Sequence, residues 1–545
     1  MNILFIMYDQ LRADYLSCAG HPTIRTPNMD RLAARGVRFS RAYCQSPVCG
    51  ASRMSFYTGR YVSSHGASWN GYPLKVGEMT LGDHLRPLGM GTWLVGKTHM
   101  EADLPGMERL GIARDGIIGA RLAECGFDVW ARDDGLWAEG PAGFYDQRRS
   151  PYNEYLKSKG YASENPWHDN ANAADVDGEI ASGFLMQNAV YPAHIREEDS
   201  ETPWLTSEAM KFIEAQGDAP WLCHLSYIKP HWPYIVPAPY HDMYGTDDIV
   251  PAVKSDCERQ DPHPVYKAFM QGQIGRGFSR EEVRQAVIPA YMGLIAQCDD
   301  QLGRLLDWLE ETGRDKDTVL VLTSDHGDYL GDHWLGEKDL FHDASARIPM
   351  IVVDPRAEAD ATRGTVCDAP VEAIDLAPSF VEWAGGAPAG HILEGHSLLP
   401  CLRGESPERR DYVVSEYDYS GHGAGVAMGL PPKDCRLFMV ATKEWKLMHA
   451  EGGFRPMLFD LVNDPDELVD LGDSPDHAQE IEAMYDRLFE WARRMSQRTA
   501  ISDTQILARR GGAMRRGILL GLYGDEGTPD ELLSKYRGPA GPLPG

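Results

Sequence analysis

Uninterrupted apolar runs, each closed by polar residues, recur along the chain between stretches with helical spacing. Residues 3–8 are a continuous apolar run ending in Asp9-Gln10, which predicts a strand buried on both faces. The same texture predicts strands at 38–43, 91–96, 221–227, 318–323 and 348–353. Thr26-Pro27-Asn28 opens a helix that Gly36 stops, and Thr80 caps another. Helices are also predicted over 207–215, 280–311 and 375–383. Strands alternating with helices imply an α/β domain with a large mixed sheet flanked by helices. Residues 412–416 read as the last strand of that sheet. From 437 the runs shorten to 437–442, 445–448 and 457–461, followed by a helix over 477–495. This predicts a smaller C-terminal α+β domain with a short antiparallel sheet. The division expected is a catalytic domain over 1–420, an α+β subdomain over 421–498 and a tail over 499–545. The tail carries basic and Gly/Pro-rich pieces and reads either as a mobile segment or as an oligomerisation arm packed on a neighbouring subunit. Residues 101–202 lack strong periodicity and read as an insertion over one face of the sheet. Its rings, Trp130, Trp137, Tyr145, Tyr152 and Trp167, pin it to the sheet or meet a leaving group.

In open α/β sheets ligands sit at the carboxyl ends of the strands. Four such ends here carry polar residues: Asp9-Gln10, Lys97-Thr98-His99, the His231 segment, and Asp325-His326-Gly327-Asp328. A fifth element, Ser46 to Arg60, reads as a loop feeding a helix with Cys49 at its entrance and Arg53 one turn on. A helix N-terminus favours an anion and a depressed thiol pKa. Asp9, Gln10, Asp325 and His326 supply mainly oxygen donors with one imidazole. That set suits a hard divalent cation, Mn²⁺ or Ca²⁺ first and Mg²⁺ next, better than structural zinc.

Composition narrows the partners. The chain has 545 residues and a formal net charge of −28, which argues against nucleic acid or an anionic membrane as partner. An anionic substrate then needs a local positive site. The ten cysteines show neither CxxC nor zinc spacing, which fits a reducing cytoplasm. No run is apolar enough to span a bilayer, and the first residues do not read as a signal peptide.

Cys49-Gly50-Ala51-Ser52-Arg53, followed by Thr58-Gly59-Arg60, resembles the maturation and catalytic motif of the formylglycine-dependent sulfatases of the alkaline phosphatase superfamily. Where the usual motif has Pro, this chain has Ala51. The resemblance covers about residues 1–470, and it implies the following roles. A maturation enzyme oxidises Cys49 to formylglycine, whose hydrate is the nucleophile. Asp9, Gln10, Cys49, Asp325 and His326 hold one divalent metal. Arg53, Lys97, His99, His231 and Lys338 are catalytic; Lys97, His231, Lys338 and Asn70 contact the substrate. Lys97 and His99 match the Gly-Lys-x-His motif of sulfatases. Gln10, Asn70 and His326 match the branch that holds the phosphonate monoester hydrolases, whose members are dimers or tetramers. The expectation is a cytoplasmic arylsulfatase-type enzyme acting on small anionic esters, promiscuous toward phosphonate monoesters and phosphodiesters. The alternative is a phosphonate monoester hydrolase or phosphodiesterase with the same machinery. Two further readings remain: a two-metal phosphatase-like enzyme, and an anion-binding protein with a dead site.

Overall fold

The computed structural model describes residues 1–135, 150–405, 410–510, 525–528 and 530. Trp137, Tyr145 and most of the tail lie outside the described residues. The strands in chain order are β1 (Asn2–Asp9), β2 (Val37–Tyr43), β3 (Gly91–Gly96), β4 (Asp128–Arg132), β5 (Ala173–Val176), β6 (Glu179–Ser182), β7 (Trp221–Pro230), β8 (Thr318–Ser324), β9 (Arg347–Val353), β10 (Thr365–Cys367), β11 (Val371–Glu372), β12 (Val413–Asp418), β13 (Arg436–Ala441), β14 (Trp445–Ala450) and β15 (Met457–Asp460). The helices that matter here are α1 (Pro27–Arg35), α2 (Cys49–Thr58), α3 (Glu201–Ala215), α4 (Glu281–Glu311), α5 (Leu376–Trp383), α6 (Ala478–Ala492) and α7 (Asp503–Arg509).

The main sheet runs β10-β2-β9-β8-β1-β7-β3-β4, with β11 also on β2. Only β9 is antiparallel to its neighbours; the other pairings are parallel. β1, β7 and β8 are buried along nearly their whole length, as their continuous apolar runs require. In register, Tyr8 lies beside Ser324 and Asp9 beside Pro230, so these three strands end together. One face packs on α4 through residues such as Tyr291, Leu294 and Cys298. The other packs on α2 and α5 through Phe56, Tyr57 and Phe380.

Two expectations are corrected. Residues 413–418 belong to a separate four-stranded antiparallel sheet, β12-β13-β14-β15, rather than to the main sheet. Glu416 pairs with Phe438, and the return of the chain at 436 fixes this antiparallel register. Trp445 and Leu447 on this sheet stand among the groups that pack with Met484, Leu488 and Trp491 of α6. The stretch 101–202 does more than cover a face: within it β4 extends the main sheet beyond β3, and β5 and β6 form a hairpin. Its Asp, Arg and Trp content hid the strand, because an edge strand does not need an unbroken apolar run.

Met1–Pro388 and Leu393–Arg494 form one compact unit. Ala389–Ile392 and Met495–Gly545 form a second, in which α7 is opened by Ser502, whose Oγ accepts the N–H of Gln505 at 3.2 Å. Among the described residues no helix is long and apolar enough to cross a membrane.

Candidate active site

The ends of β1, β3, β7 and β8 and the start of α2 meet at Cys49. Cys49 is the first residue of α2, and every residue of that helix is buried. The first turn is fixed from both sides. Ser52 Oγ donates to the Asp325 carbonyl at 2.6 Å, and Asn70 Oδ1 accepts the N–H of Gly50 at 2.7 Å. Arg53 is fully buried and distributes its donors over groups on or just after four strands, β1, β3, β7 and β8. Nε reaches Asp325 Oδ2 at 2.8 Å, Nη2 reaches Asp9 Oδ2 at 3.1 Å, and Nη1 reaches Ser226 Oγ at 2.7 Å and the Lys97 carbonyl at 3.0 Å. Lys97 Nζ adds a second cation to Asp9 Oδ2 at 2.6 Å. Gly96 makes the approach of β3 to β7 possible: φ is +111°, and a Cβ there would fall 1.9 Å from the Ser226 carbonyl oxygen.

Each carboxylate therefore gives Oδ2 to a cationic side chain; Asp9 Oδ1 faces Cys49, and Asp325 Oδ1 accepts the N–H groups of Gln10 and His326, both at 3.0 Å. Cys49 Sγ lies 3.7 Å from Asp9 Oδ1, 3.1 Å from His326 Nε2 and 3.2 Å from Lys338 Nζ. Asp9, Cys49, Asp325 and His326 bring one ligand atom each within 4.8 Å of one another, all buried. Gln10 joins through its amide. Its NH₂ meets Tyr234 and Asp328, which orients Oε1 toward Lys338 Nζ at 3.2 Å. Gln10 takes φ +66° to do so. His326 Nδ1 bonds the Gly327 carbonyl at 2.9 Å, so Nε2 faces the cluster. Three oxygens, an imidazole nitrogen and the Cys49 position form a donor set that fits a hard divalent ion.

The charges respond to each other. Burial raises the Cys49 thiol pKa, but Lys338, His326 and Lys97 outweigh it and hold it well below the usual value. Burial and Cys49 push Asp9 up, while Lys97, His231 and Arg53 bring it well below the carboxylate range. Burial opposes a charged His326, yet Asp325 and Cys49 lift its pKa to about 9. Burial and the adjacent Lys338 lower His231 to about 4. His231 Nδ1 donates to the Trp232 carbonyl at 2.7 Å, so the neutral ring turns a lone pair at Nε2 toward Lys338 Nζ, 3.1 Å away.

A cleft of ≈ 520 Å³ opens over this floor, walled by Trp69, Asn70, His99, Trp167 and Trp232. The structure thus brings Asp9, Gln10, Cys49, Arg53, Lys97, His231, Asp325, His326 and Lys338 into one bonded network. Asn70 supports the network through Gly50. His99 stands on the cleft wall with φ +53°, its backbone N–H held by Asp134 at 2.9 Å. His99 Nδ1 is buried without a hydrogen-bond partner among the described residues.

Sequence reasoning missed Tyr234, whose hydroxyl donates to Asp328 Oδ2 at 2.7 Å, and Ser226 beneath Arg53. Neither carries a local signal, since their partners lie far off in sequence. It also missed the roles of Asp328 and Ser324, although both stand within the polar run that closes β8. Ser324 Oγ bonds the Tyr8 and His326 carbonyls at 2.8 and 2.7 Å, locking β1 to β8.

A second cluster, Glu258 with His333 and His342, also brings ligand atoms together. Its two imidazoles stack at 3.7 Å and 7°, so their in-plane lone pairs cannot converge on one ion.

The sulfatase family profile matches residues 1–387, and the profile described as N-sulphoglucosamine sulphohydrolase, C-terminal, matches 331–494. The chain is 30% identical to the multifunctional alkaline phosphatase superfamily protein PehA of Trinickia caryophylli, over 91% of this chain and 96% of that one. It is 28% identical to an arylsulfatase of Clostridium perfringens, over 88% of this chain and 92% of that one. The solved phosphonate monoester hydrolase SpPMH of Silicibacter pomeroyi superposes with a TM-score of 0.78 at 27% identity, covering 92% of this chain and 98% of that one. With its strand-end donor set, its buried Cys49 and this profile match over most of its length, the chain belongs to the sulfatase family of hydrolases in the alkaline phosphatase superfamily.

Proposed function

We propose that the protein hydrolyses sulfate monoesters of the arylsulfatase type, with side activity on phosphonate monoesters and phosphodiesters. The nucleophile is the hydrate of a formylglycine derived from Cys49. The observation that carries this reading is the ring of His326, Lys338 and Asp9 within 3.7 Å of Cys49 Sγ. Asp9, Gln10, Asp325 and His326, with position 49, would hold one divalent ion of the Mn²⁺, Ca²⁺ or Mg²⁺ class. Such an ion supplies Lewis acidity and lowers the pKa of a bound hydroxyl.

The chain's own groups do the rest. Lys338 and Lys97 offer charge to the oxygens of the transferring group as the ester bond breaks. His231 and Lys338 act on the leaving oxygen as a pair. In the resting arrangement the proton lies on Lys338, and His231 is the neutral acceptor beside it, so the leaving oxygen draws its proton from this pair. Arg53 holds Asp9 and Asp325 in place. His99, on the cleft wall, is the base assigned to the second hydroxyl of the hydrate, whose deprotonation releases sulfate by C–O cleavage.

Gln10, Asn70 and His326, with the fold of a solved phosphonate monoester hydrolase, favour the second reading: the same machinery with phosphonate monoesters or phosphodiesters as main substrates. The test is the mass of the Cys49 peptide from protein made in its native host, followed by kcat/KM on an aryl sulfate and an aryl phosphonate monoester. A formylglycine mass with preference for the sulfate upholds the proposal. Preference for the phosphonate selects the second reading, and an unmodified Cys49 in active enzyme overturns both.

A further inference from the structure

Two carboxyl groups behind the cleft wall take no part in the chemistry above. Asp133 follows β4, Glu201 opens α3, and each is 3% exposed. Both grip the same ring. Glu201 Oε1 accepts the Trp167 indole N–H at 2.8 Å. Asp133 Oδ1 accepts the N–H of Gly135 at 3.1 Å. Gly135, at φ +70°, lies against the indole face: a Cβ there would fall 2.7 Å from Trp167 Cζ2. Trp167, itself 3% exposed, presents its remaining surface to the cleft.

The other two oxygens, Asp133 Oδ2 and Glu201 Oε2, are buried with no hydrogen-bond partner among the described residues. The two side chains face each other within hydrogen-bonding range. As two carboxylates they would repel across a dry gap, each with an orphaned acceptor. The surrounding charged side chains make their hydrogen bonds elsewhere, although the Lys229 ammonium still acts on Glu201 through space. Lys229 on β7 bonds Asn172 Oδ1 at 2.7 Å and the Pro233 carbonyl at 3.0 Å. Arg132 on β4 pairs with Glu124 and Asp134. Asp134 accepts the N–H groups of Thr98 and His99, and Tyr152 donates to the Asp199 carbonyl. One proton between the facing oxygens removes both the repulsion and the orphaned acceptors. Burial, then the charge of Glu201, push Asp133 well above the usual carboxyl range.

We infer that Asp133 and Glu201 share a single proton and act as a pair of positioning residues, clamping the Trp167 indole as a wall of the cleft. The proton sits on Asp133 Oδ2 and is donated to Glu201 Oε2. One carboxyl then holds the indole N–H and the other holds the backbone under the ring. Resting on the proposed ester hydrolysis, the clamp sets how the leaving group is seated, and so acts on KM more than on kcat.

An infrared difference spectrum between wild type and Asp133→Asn at neutral pH reads the proton without any need for activity. The expected result is loss of one un-ionised carboxylic acid band; a difference showing only ionised carboxylate overturns the shared proton. The second arm uses steady-state kinetics on an aryl ester. Trp167→Phe is expected to raise KM severalfold with kcat kept, and Glu201→Ala to give the same effect without adding to it. Additive losses, or losses confined to kcat, overturn the clamp. Asp133→Asn keeps an N–H donor toward Glu201, so it is expected to fold and to lose the rise in KM expected of wild type at alkaline pH. A KM that responds to alkaline pH equally in both proteins counts against the pair.

Discussion

His326 gives its Nδ1 proton to the carbonyl of Gly327 at 2.9 Å, and this fixes Nε2 as the atom that meets Cys49 Sγ, 3.1 Å away. In metal centres a carbonyl often orients a ligand imidazole in this way. Here it turns the strand-end turn after β8 into part of a donor set. In the apo-protein a proton on Nε2 must leave before an ion can bind. Addition of Mn²⁺ or Ca²⁺ to apo-protein at neutral pH is therefore expected to release protons and to raise the thermal midpoint. Both responses should vanish in His326→Ala. Binding that releases no protons would place the ion elsewhere.

Arg53 joins Asp9 and Asp325 with no exposed surface on any of the three. Arg53→Ala leaves two buried carboxylates without their shared partner, at a cost of about 3–5 kcal/mol. Urea unfolding is the measurement, and a midpoint within error of wild type would contradict the network. Arg53→Lys recovers only part, because one ammonium cannot span Asp9, Asp325 and Ser226 as the guanidinium fork does.

Asn70 accepts the N–H of Gly50, the residue after the nucleophile position. Asn70→Ala leaves that N–H without its partner and loosens the start of α2. A loss of about tenfold in kcat is expected, from roughly 1–3 kcal/mol for an unsatisfied buried donor. Asn70→Asp retains an acceptor and should keep most of the rate. An effect of Asn70→Ala confined to KM would instead mark a pure substrate contact.

Cys49→Ser presents a single hydroxyl in place of a geminal diol. It is expected to transfer one group and stall, visible as a product burst no larger than the enzyme concentration. Sustained turnover by this variant would remove the diol scheme.

Glu416 on β12 is buried and accepts the N–H of Ser63 at 3.0 Å. Burial raises its pKa to about 7, against the pull of Ser63 and Arg494. A carboxyl raised on folding binds more protons in the native state than in the unfolded one. Stability therefore falls as pH rises from about 4.5 to 7, by on the order of 3 kcal/mol at most. Glu416→Gln should show a smaller drop between urea midpoints at pH about 5 and about 8. An unchanged drop would assign the slope to other groups.

The sheet and most of the floor of the site were legible because their physics is local. A parallel strand buried on both faces has to be an apolar run, so polar residues at 9, 97, 231 and 325 stood out at its end. The same rule explains the failures. β4, at the sheet edge, needs no such run and escaped notice. β12 has the apolar run, but nothing in that run says which sheet it joins; that depends on β13 arriving antiparallel to it. Tyr234 and Ser226 are common residues whose importance lies in partners far along the chain. The clamp on Trp167 was illegible for the same reason: Asp133, Gly135, Trp167 and Glu201 meet only after the stretch between β4 and α3 has folded back.

Cys49 has no exposed surface, and its covering is built by residues synthesised long after it, Lys338 standing 289 positions further on. If Cys49 is matured as proposed, the modifying enzyme must reach this thiol before the fold is finished. Its window opens when residue 49 emerges from the ribosome and closes when β8 and the turn carrying Lys338 dock. On the proposed maturation, conversion of Cys49 would be a race between catalysis by another protein and the folding of this one. Slower synthesis or slower docking of the later strands should raise the fraction of chains that mature.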